Sequence, residues 1–346
     1  MKLIWNVKPD YLERLIVMEK ERINLMSNTK ISEKNINIIP IKNKPLWKQI
    51  LDCKYFYIMF IPTFVLYFIF SYVPLYGIQL AFKDLNFAKG ITGSSWTSMH
   101  GLKHFYELLS NMEFQKAFSN TIIISIQRII FQFPVPIILA LLLNEIRKDS
   151  TKRIIQTVLT FPHFLSWIVV TGIFFNLLGD AGVLNEILAA LGLKKVHFLT
   201  QASTFRGLLY ITNNWKEAGW GTIIYLAAIA GISVELYEAA IVDGAKRFQL
   251  MRYITWPAIK SVIGVMLILA IANIMNAGFD QIFNMYNAAV YDKADIIDTY
   301  IFRRTFITGL DFASSTAIGL FKSVVNFIML FAGNLAVKKI TGKGIY

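Results

Sequence analysis

The sequence predicts an all-α polytopic membrane protein with six transmembrane helices, on three observations. Apolar side chains, counted without glycine, make up 55% of the 346 residues, whereas ordinary soluble domains reach about 45–50% with glycine included. Charged residues are 16%, against about 25% in a typical domain. Finally, six segments are apolar over the roughly 20 residues that a helix needs to cross about 30 Å of hydrocarbon.

Residues 1–54 contain eleven Lys/Arg and six Asp/Glu with no sustained apolar run, so 1–53 reads as a polar, cytoplasmic N-terminal arm. There is no basic stretch followed by an apolar core and a small-residue cleavage site, and no cleaved signal peptide is expected. Met26 stands directly before the polar stretch SNTKISEKNINIIPIKNKP (27–45) and offers a second start. On that reading residues 1–25 are an upstream extension, which an intact-mass measurement on natively expressed protein would check. Cys53 is the only cysteine, which excludes an internal disulfide.

The six predicted spans are 54–82, 120–144, 154–178, 206–232, 258–283 and 315–337. Pro134 and Pro136 predict a kink in the second. The polar run NNWKEAGW interrupts the fourth. Basic residues set the orientation. With the N-terminus inside, the inner segments 1–54, 144–153, 233–257 with Lys260, and the tail 338–346 hold 22 of the 35 Lys/Arg, while the outer segments 83–118, 180–204 and 284–313 hold nine. Both termini are therefore expected in the cytoplasm. The net charge of +13 belongs to topology and to anionic lipid at the inner face, not to nucleic acid.

Between spans four and five lies EAAIVDGAKRFQLMRYITWP (238–257), a compact polar stretch. Ser233 is a suitable N-cap, with Glu235 and Glu238 near the positive end of a helix dipole. Asp243-Gly244 ends that helix, because glycine adopts the left-handed conformation without a Cβ clash. Residues 245–255 then start a second amphipathic helix, and Trp256-Pro257 is expected to redirect the chain into span five. Physics alone leaves two readings open, an interfacial connector or a docking element.

The pattern Glu238-Ala239-Ala240, three residues, Gly244, nine residues, Ile254, two residues, Pro257 resembles the EAA loop of binding-protein-dependent ABC importer permeases. Trp256 stands where leucine is common in that family. Further stretches, among them PVPIILALLLNEIR (134–147), VLTFPHFLSWIVV (158–170) and GFDQIFNMYNAAVYDKADIIDTYIFRR (278–304), are similar to the oligosaccharide branch, over roughly 55–340. The resemblance implies a type I ABC importer transmembrane-domain fold with a five-helix core over 119–337 and a coupling loop at 233–257. It also implies partners: a second homologous permease, two copies of a cytoplasmic ABC ATPase, and an extracellular sugar-binding protein that delivers an oligosaccharide. The ATPase-coupling residues would be Glu238, Ala239, Ala240, Asp243, Gly244, Ala245, Ile254 and Pro257.

Polar groups within the bilayer are costly and mark pathways or interhelical contacts. Asn273, Asn276 and Asp280 are spaced i, i+3, i+7 and would share one helix face. Together with Gln281 they make span five, with Asn213 and Asn214 of span four, a candidate lining for a sugar path. Trp215, Trp220 and Phe279 would offer faces for sugar rings. Interhelical glue is the alternative for each. Lys216 and Glu217 are expected to snorkel at a span end. His163 is expected to stand alone. The four histidines show no paired metal spacing, so no metal or cofactor is expected. The sequence has no phosphate-binding GxxxxGK[ST] loop and no GxSxG nucleophile, so the chain is not expected to be an enzyme and must draw energy from a partner. The competing readings are an ion-coupled secondary transporter, which predicts interrupted helices that the sequence does not suggest, and a membrane assembly scaffold.

Overall fold

The computed structural model describes residues 45–341. Most of the expected N-terminal arm and the last five residues of the tail lie outside that range. The chain divides into two compact units between Phe68 and Ile69. The first contains helix α1 (Lys54–Tyr67), which buries none of its side chains although nearly all of them after Lys54 are apolar or aromatic. This is the signature of a helix whose solvent is lipid. Pro62 lies inside α1.

The second unit opens with a 3-10 stretch, Val73–Phe82, and a two-residue hairpin in which β1 (Lys83–Asp84) pairs antiparallel with β2 (Ser95–Trp96). Lys83 is buried here. Its Nζ donates to the Ile91 carbonyl at 2.9 Å and lies 5.2 Å from the Trp96 ring. Helices α2 (Lys103–Ser110) and α3 (Met112–Phe131) follow. Asn111 caps α3 by accepting from the Glu113 and Phe114 amides at 2.9 and 3.0 Å. The predicted kink in span two is present: α3 ends at Phe131, and Pro134 sits in the first turn of α4 (Pro134–Asn144), where its missing N–H has no helical acceptor to satisfy.

Span three departs from expectation. Residues 154–178 are not one helix. The amphipathic α5 (Asp149–Thr160) passes into a 3-10 turn, Phe161–Phe164, before α6 (Trp167–Leu178) begins. Pro162 lacks the amide that would continue the ladder, and Ser166 caps α6 by accepting from the Val169 amide at 3.3 Å. The stretch apolar and long enough to cross is instead Trp167–Ala190, made of α6 and α7 (Val183–Ala190).

Span four is one continuous 29-residue helix, α8 (Ala202–Ala230), about 43 Å long at 1.5 Å per residue. The run NNWKE does not interrupt it because its polar groups bond inward. Asn214 Nδ2 donates to the Phe131 carbonyl at 3.2 Å, satisfying a group freed at the α3–α4 break. Lys216 does not snorkel. It is 5% exposed, and its Nζ donates to Glu217 Oε1 and to the His163 carbonyl, both at 2.8 Å. His163 is not alone either. Its Nδ1 lies 2.7 Å from Glu217 Oε2 and its ring stacks on Trp220 at 4.4 Å, 5° from parallel. Gly219 allows this clamp, since a Cβ there would overlap the Leu159 carbonyl of α5. Gly219→Ala should therefore cost about 1–3 kcal/mol of stability through overpacking, read as a lower melting temperature in detergent.

Helix α9 (Val234–Val242) leaves α8 at a bend of 70°. Its end forms the expected glycine cap. Gly244 has φ +83°, its amide donates to the Ile241 carbonyl at 3.0 Å, and the Ala245 amide donates to Ala240 at 2.9 Å, the paired bonds of a Schellman motif. Ser233 occupies the N-cap position, but its side chain does not cap. Its hydroxyl instead lies 3.3 Å from Glu235 Oε2. The second element, α10 (Arg247–Leu250), continues through a π turn, Met251–Thr255, into α11 (Trp256–Ala272). Trp256-Pro257 therefore does not redirect the chain. Pro257 falls in the first turn of α11, where it is tolerated, and the loop's second half is the end of span five itself.

Span five is then broken. After α11 come a 3-10 turn, Ile274–Asn276, two left-handed residues, Ala277 (φ +44°) and Gly278 (φ +78°), and the short α12 (Phe279–Met285). Asn273, Asn276 and Asp280 thus do not form a stripe on one helix, and the expectation of uninterrupted spans is corrected. A break within a membrane requires the freed backbone groups to find partners inside the protein. Here the Ala272 carbonyl accepts from Asn326 Nδ2 at 2.7 Å and the Ile274 carbonyl accepts from the Ser125 hydroxyl.

Beyond the break, α13 (Ile297–Phe302) leads to α14 (Phe312–Thr341), the sixth span. Arg303 holds Asp295 with two bonds, at 3.1 and 2.7 Å, and these hydrogen bonds keep its guanidinium above the ordinary arginine range. Burial pushes the Asp311 carboxyl up, but bonds from Ser314 and Arg304 outweigh it and leave the group below the usual carboxylate range. Three apolar clusters tie the bundle: Phe205, Leu209 and Ile282 against Ile124; Phe114, Met275 and Ile318; and Ile137, Tyr225 and Ile259.

Candidate functional site

Two clefts meet at the break in span five. The first, about 450 Å³, is lined by Gln132, Asn213, Asn214, Glu217, Trp220, Asn273 and Asn276, among others. The second, about 560 Å³, is lined by Trp167, Phe279, Asp280, Gln281, Asp298 and Lys322. Arg128, Asn213, Asn276 and Gly278 line both and form the junction. Eight of the nine residues expected along a sugar path therefore line one cleft or the other. Trp215 does not. It stands edge-on to Phe174 at 5.5 Å, packed towards α6.

The junction is built around Arg128, a side chain that the sequence reading did not assign to the site. Its Nη2 donates to Gln281 Oε1 and its Nη1 lies 3.4 Å from Asn213 Oδ1. Gln281 is held in register by donating through Nε2 to the Leu209 carbonyl and the Thr212 hydroxyl, both at 2.7 Å. Gly278 makes room for the guanidinium, since a Cβ there would overlap it. The side-chain partners of Arg128 are thus neutral amides, and its buried Nε has no partner among the described residues. The other cations nearby are neutralised. Lys322 donates to both Asp298 oxygens at 2.7 and 2.8 Å and to Asn276 at 3.1 Å, and Lys216 is paired with Glu217. A half-buried guanidinium with no carboxylate partner among the described residues is an incomplete arrangement, and its forked donors match a carboxylate or phosphate. Asp280 is exposed at the second cleft, and Phe279 stacks on Phe283 at 5.2 Å.

Away from the clefts, the residues expected to couple to an ATPase form one exposed elbow. Glu238, Ala239, Asp243, Gly244 and Pro257 are exposed, while Ala240, Ala245 and Ile254 are half-buried. Tyr237 and Thr255 share a 2.9 Å hydroxyl bond that fastens α9 to the root of α11. Leu236, Ile241 and Val242 are 56%, 57% and 86% exposed, an unpartnered apolar face on a helix already outside the bundle.

Comparisons agree with this architecture. The family described as "Binding-protein-dependent transport system inner membrane component" matches residues 132–342. The polygalacturonan/rhamnogalacturonan transport system permease protein YteP of Bacillus subtilis is 42% identical over 88% of this chain and 94% of its own length. Protein LplB of the same organism is 42% identical over 85% and 91%. A solved bacterial alginate ABC transporter, in complex with an alginate pentasaccharide-bound periplasmic protein, contains a chain with TM-score 0.78 and 37% identity, covering 87% of this chain and all of that one. The chain described here belongs to the binding-protein-dependent transport system inner membrane components and is a multi-pass permease subunit of an ABC importer.

Proposed function

We propose that this permease carries an acidic oligosaccharide, a fragment of a uronate-bearing polysaccharide, through the paired clefts at the span-five break. The carrying observation is Arg128, a half-buried cation at the junction of both clefts whose side-chain partners among the described residues are amides alone. A sugar carboxylate would supply the missing charge in bidentate geometry. Asn213, Asn273 and Asn276 would bond hydroxyls, and Trp220 and Phe279 would face ring carbons. The names of relatives support this reading, since one is a polygalacturonan/rhamnogalacturonan permease and alginate is described as an acidic polysaccharide.

A second homologous permease completes the pore, an extracellular binding protein delivers the sugar, and two copies of a cytoplasmic ATPase engage the elbow at Val234–Leu250. Both termini lie inside, and residues 119–337 form the conserved transmembrane core. ATP-driven closure moves α9 as a rigid body. The Tyr237–Thr255 bond ties α9 to the root of α11, and because α10 continues into α11 that movement is passed along one helix to the span-five break. Glu238 acts as a polar anchor on the ATPase and Gly244 shapes the turn. Gly244→Ala meets no neighbour within 4 Å, so its cost is the left-handed conformation alone, roughly 1–2 kcal/mol. Membrane insertion should persist while ATPase co-purification falls about tenfold. The path itself is tested by alanine replacement of Asn273, Asn276 and Asp280 together. Uptake by the assembled transporter should fall at least tenfold, and uptake unchanged would remove the clefts from the path.

A further inference from the structure

We infer that a groove between α5 and α8 is a binding site for one anionic phospholipid, with the headgroup phosphate on Arg153 and the acyl chains along Phe161, Phe164 and Ile223. The groove is about 360 Å³ and is polar at one end, with Arg153, Gln156 and Thr157, and apolar at the other. That division matches an amphiphile and not a free anion, which would have no use for two phenyl rings and an isoleucine. The Arg153 guanidinium pairs with no carboxylate among the described residues, although Glu145 and Asp149 are near in sequence.

The depth is right for a membrane boundary. Ile223 lies seven residues before the end of α8, which puts it about 10 Å from that end, while Lys148, Lys152 and Arg153 stand at the start of α5, on the side of the coupling elbow. Along α5 and the following turn, Ile154, Val158, Phe161 and Phe164 are 64%, 65%, 64% and 71% exposed. Three of them share one helix face at i, i+4, i+7. A basic amphipathic helix with this exposure lies in the plane of the interface. What it holds matters for transport, because the same segment carries His163, whose carbonyl and ring fix Lys216, Glu217 and Trp220 at the first cleft. An ordered lipid would brace that wall.

The test is native mass spectrometry of the complete transporter in mild detergent, titrated separately with phosphatidylglycerol, phosphatidylcholine and inorganic phosphate. One phosphatidylglycerol should stay on this subunit, phosphatidylcholine should not, and phosphate should not displace the lipid. Arg153→Gln should lower retention about fivefold, the effect of one cation near an anionic surface. Ile223→Trp should lower it by filling the apolar end, while Arg147→Gln, outside the groove, should leave it unchanged. Equal retention in the Arg153 and Arg147 variants, or displacement by phosphate, would overturn the site. So would a photoreactive group at Phe164 that, in bilayers, crosslinks to a protein chain instead of lipid. None of these readouts depends on which sugar is carried.

Discussion

Arg128→Gln should reduce uptake of an acidic oligosaccharide by the reconstituted transporter about 10- to 100-fold, with most of the loss in apparent affinity. The magnitude follows from removing charge-assisted bonds worth about 1.5–3 kcal/mol. A neutral oligosaccharide of equal length would lose nothing comparable, because the asparagines and aromatic faces that line the clefts remain. That contrast separates recognition from architecture. If Arg128 merely fixed Gln281, both sugars would suffer alike. Arg128→Lys keeps the charge but loses the planar fork and should restore only part of the acidic-sugar uptake.

The second large effect is expected at Gly278. Its φ of +78° and the guanidinium that a Cβ would overlap make Gly278→Ala a double fault, with backbone strain of roughly 1–2 kcal/mol and displacement of Arg128 from Gln281. Transport should fall further than for Asn276→Ala, and the melting temperature should drop by several degrees. A double-variant cycle makes this specific. In Gly278→Ala combined with Arg128→Gln the overlap is reduced but the strain remains, so the combined destabilisation should be smaller than the sum of the singles. Strict additivity would show that the two residues do not share the contact.

These residues also show what the sequence could and could not convey. Most spans were legible because lipid requires long apolar runs, the third excepted, where Pro162 ends the ladder and the crossing stretch begins at Trp167. The elbow was legible because Asp243-Gly244 is local turn chemistry whose paired cap bonds appear as expected. The asparagines that line the clefts were legible as costly polar groups in apolar surroundings. The break at Ala277-Gly278 was not, because glycine is common in membrane helices and the compensating donors, Ser125 and Asn326, lie far off in sequence. Lys216 and Glu217 were misjudged for the same reason, since the His163 that completes their cluster is more than fifty residues away. Arg128 was visible as a charge within span two, but its role depends on Asn213, Gln281 and the missing Cβ of Gly278, which only the fold brings together. Pro257, read as a corner, sits where a first-turn proline costs nothing, and the chain passes through it in helix.

If the junction at the span-five break is the sugar's route, its residues are reached by water and shielded by passing sugar, which substituted-cysteine accessibility reads out. The single native cysteine, Cys53, is exposed, so Cys53→Ser gives a clean background into which Asn276→Cys is introduced. In the working transporter, a charged thiol reagent should label this position during ATP turnover, and the binding protein loaded with an acidic oligosaccharide should slow the labelling at least tenfold. A position that never labels, or that labels at the same rate with and without the sugar, would put the sugar's route elsewhere in the transporter.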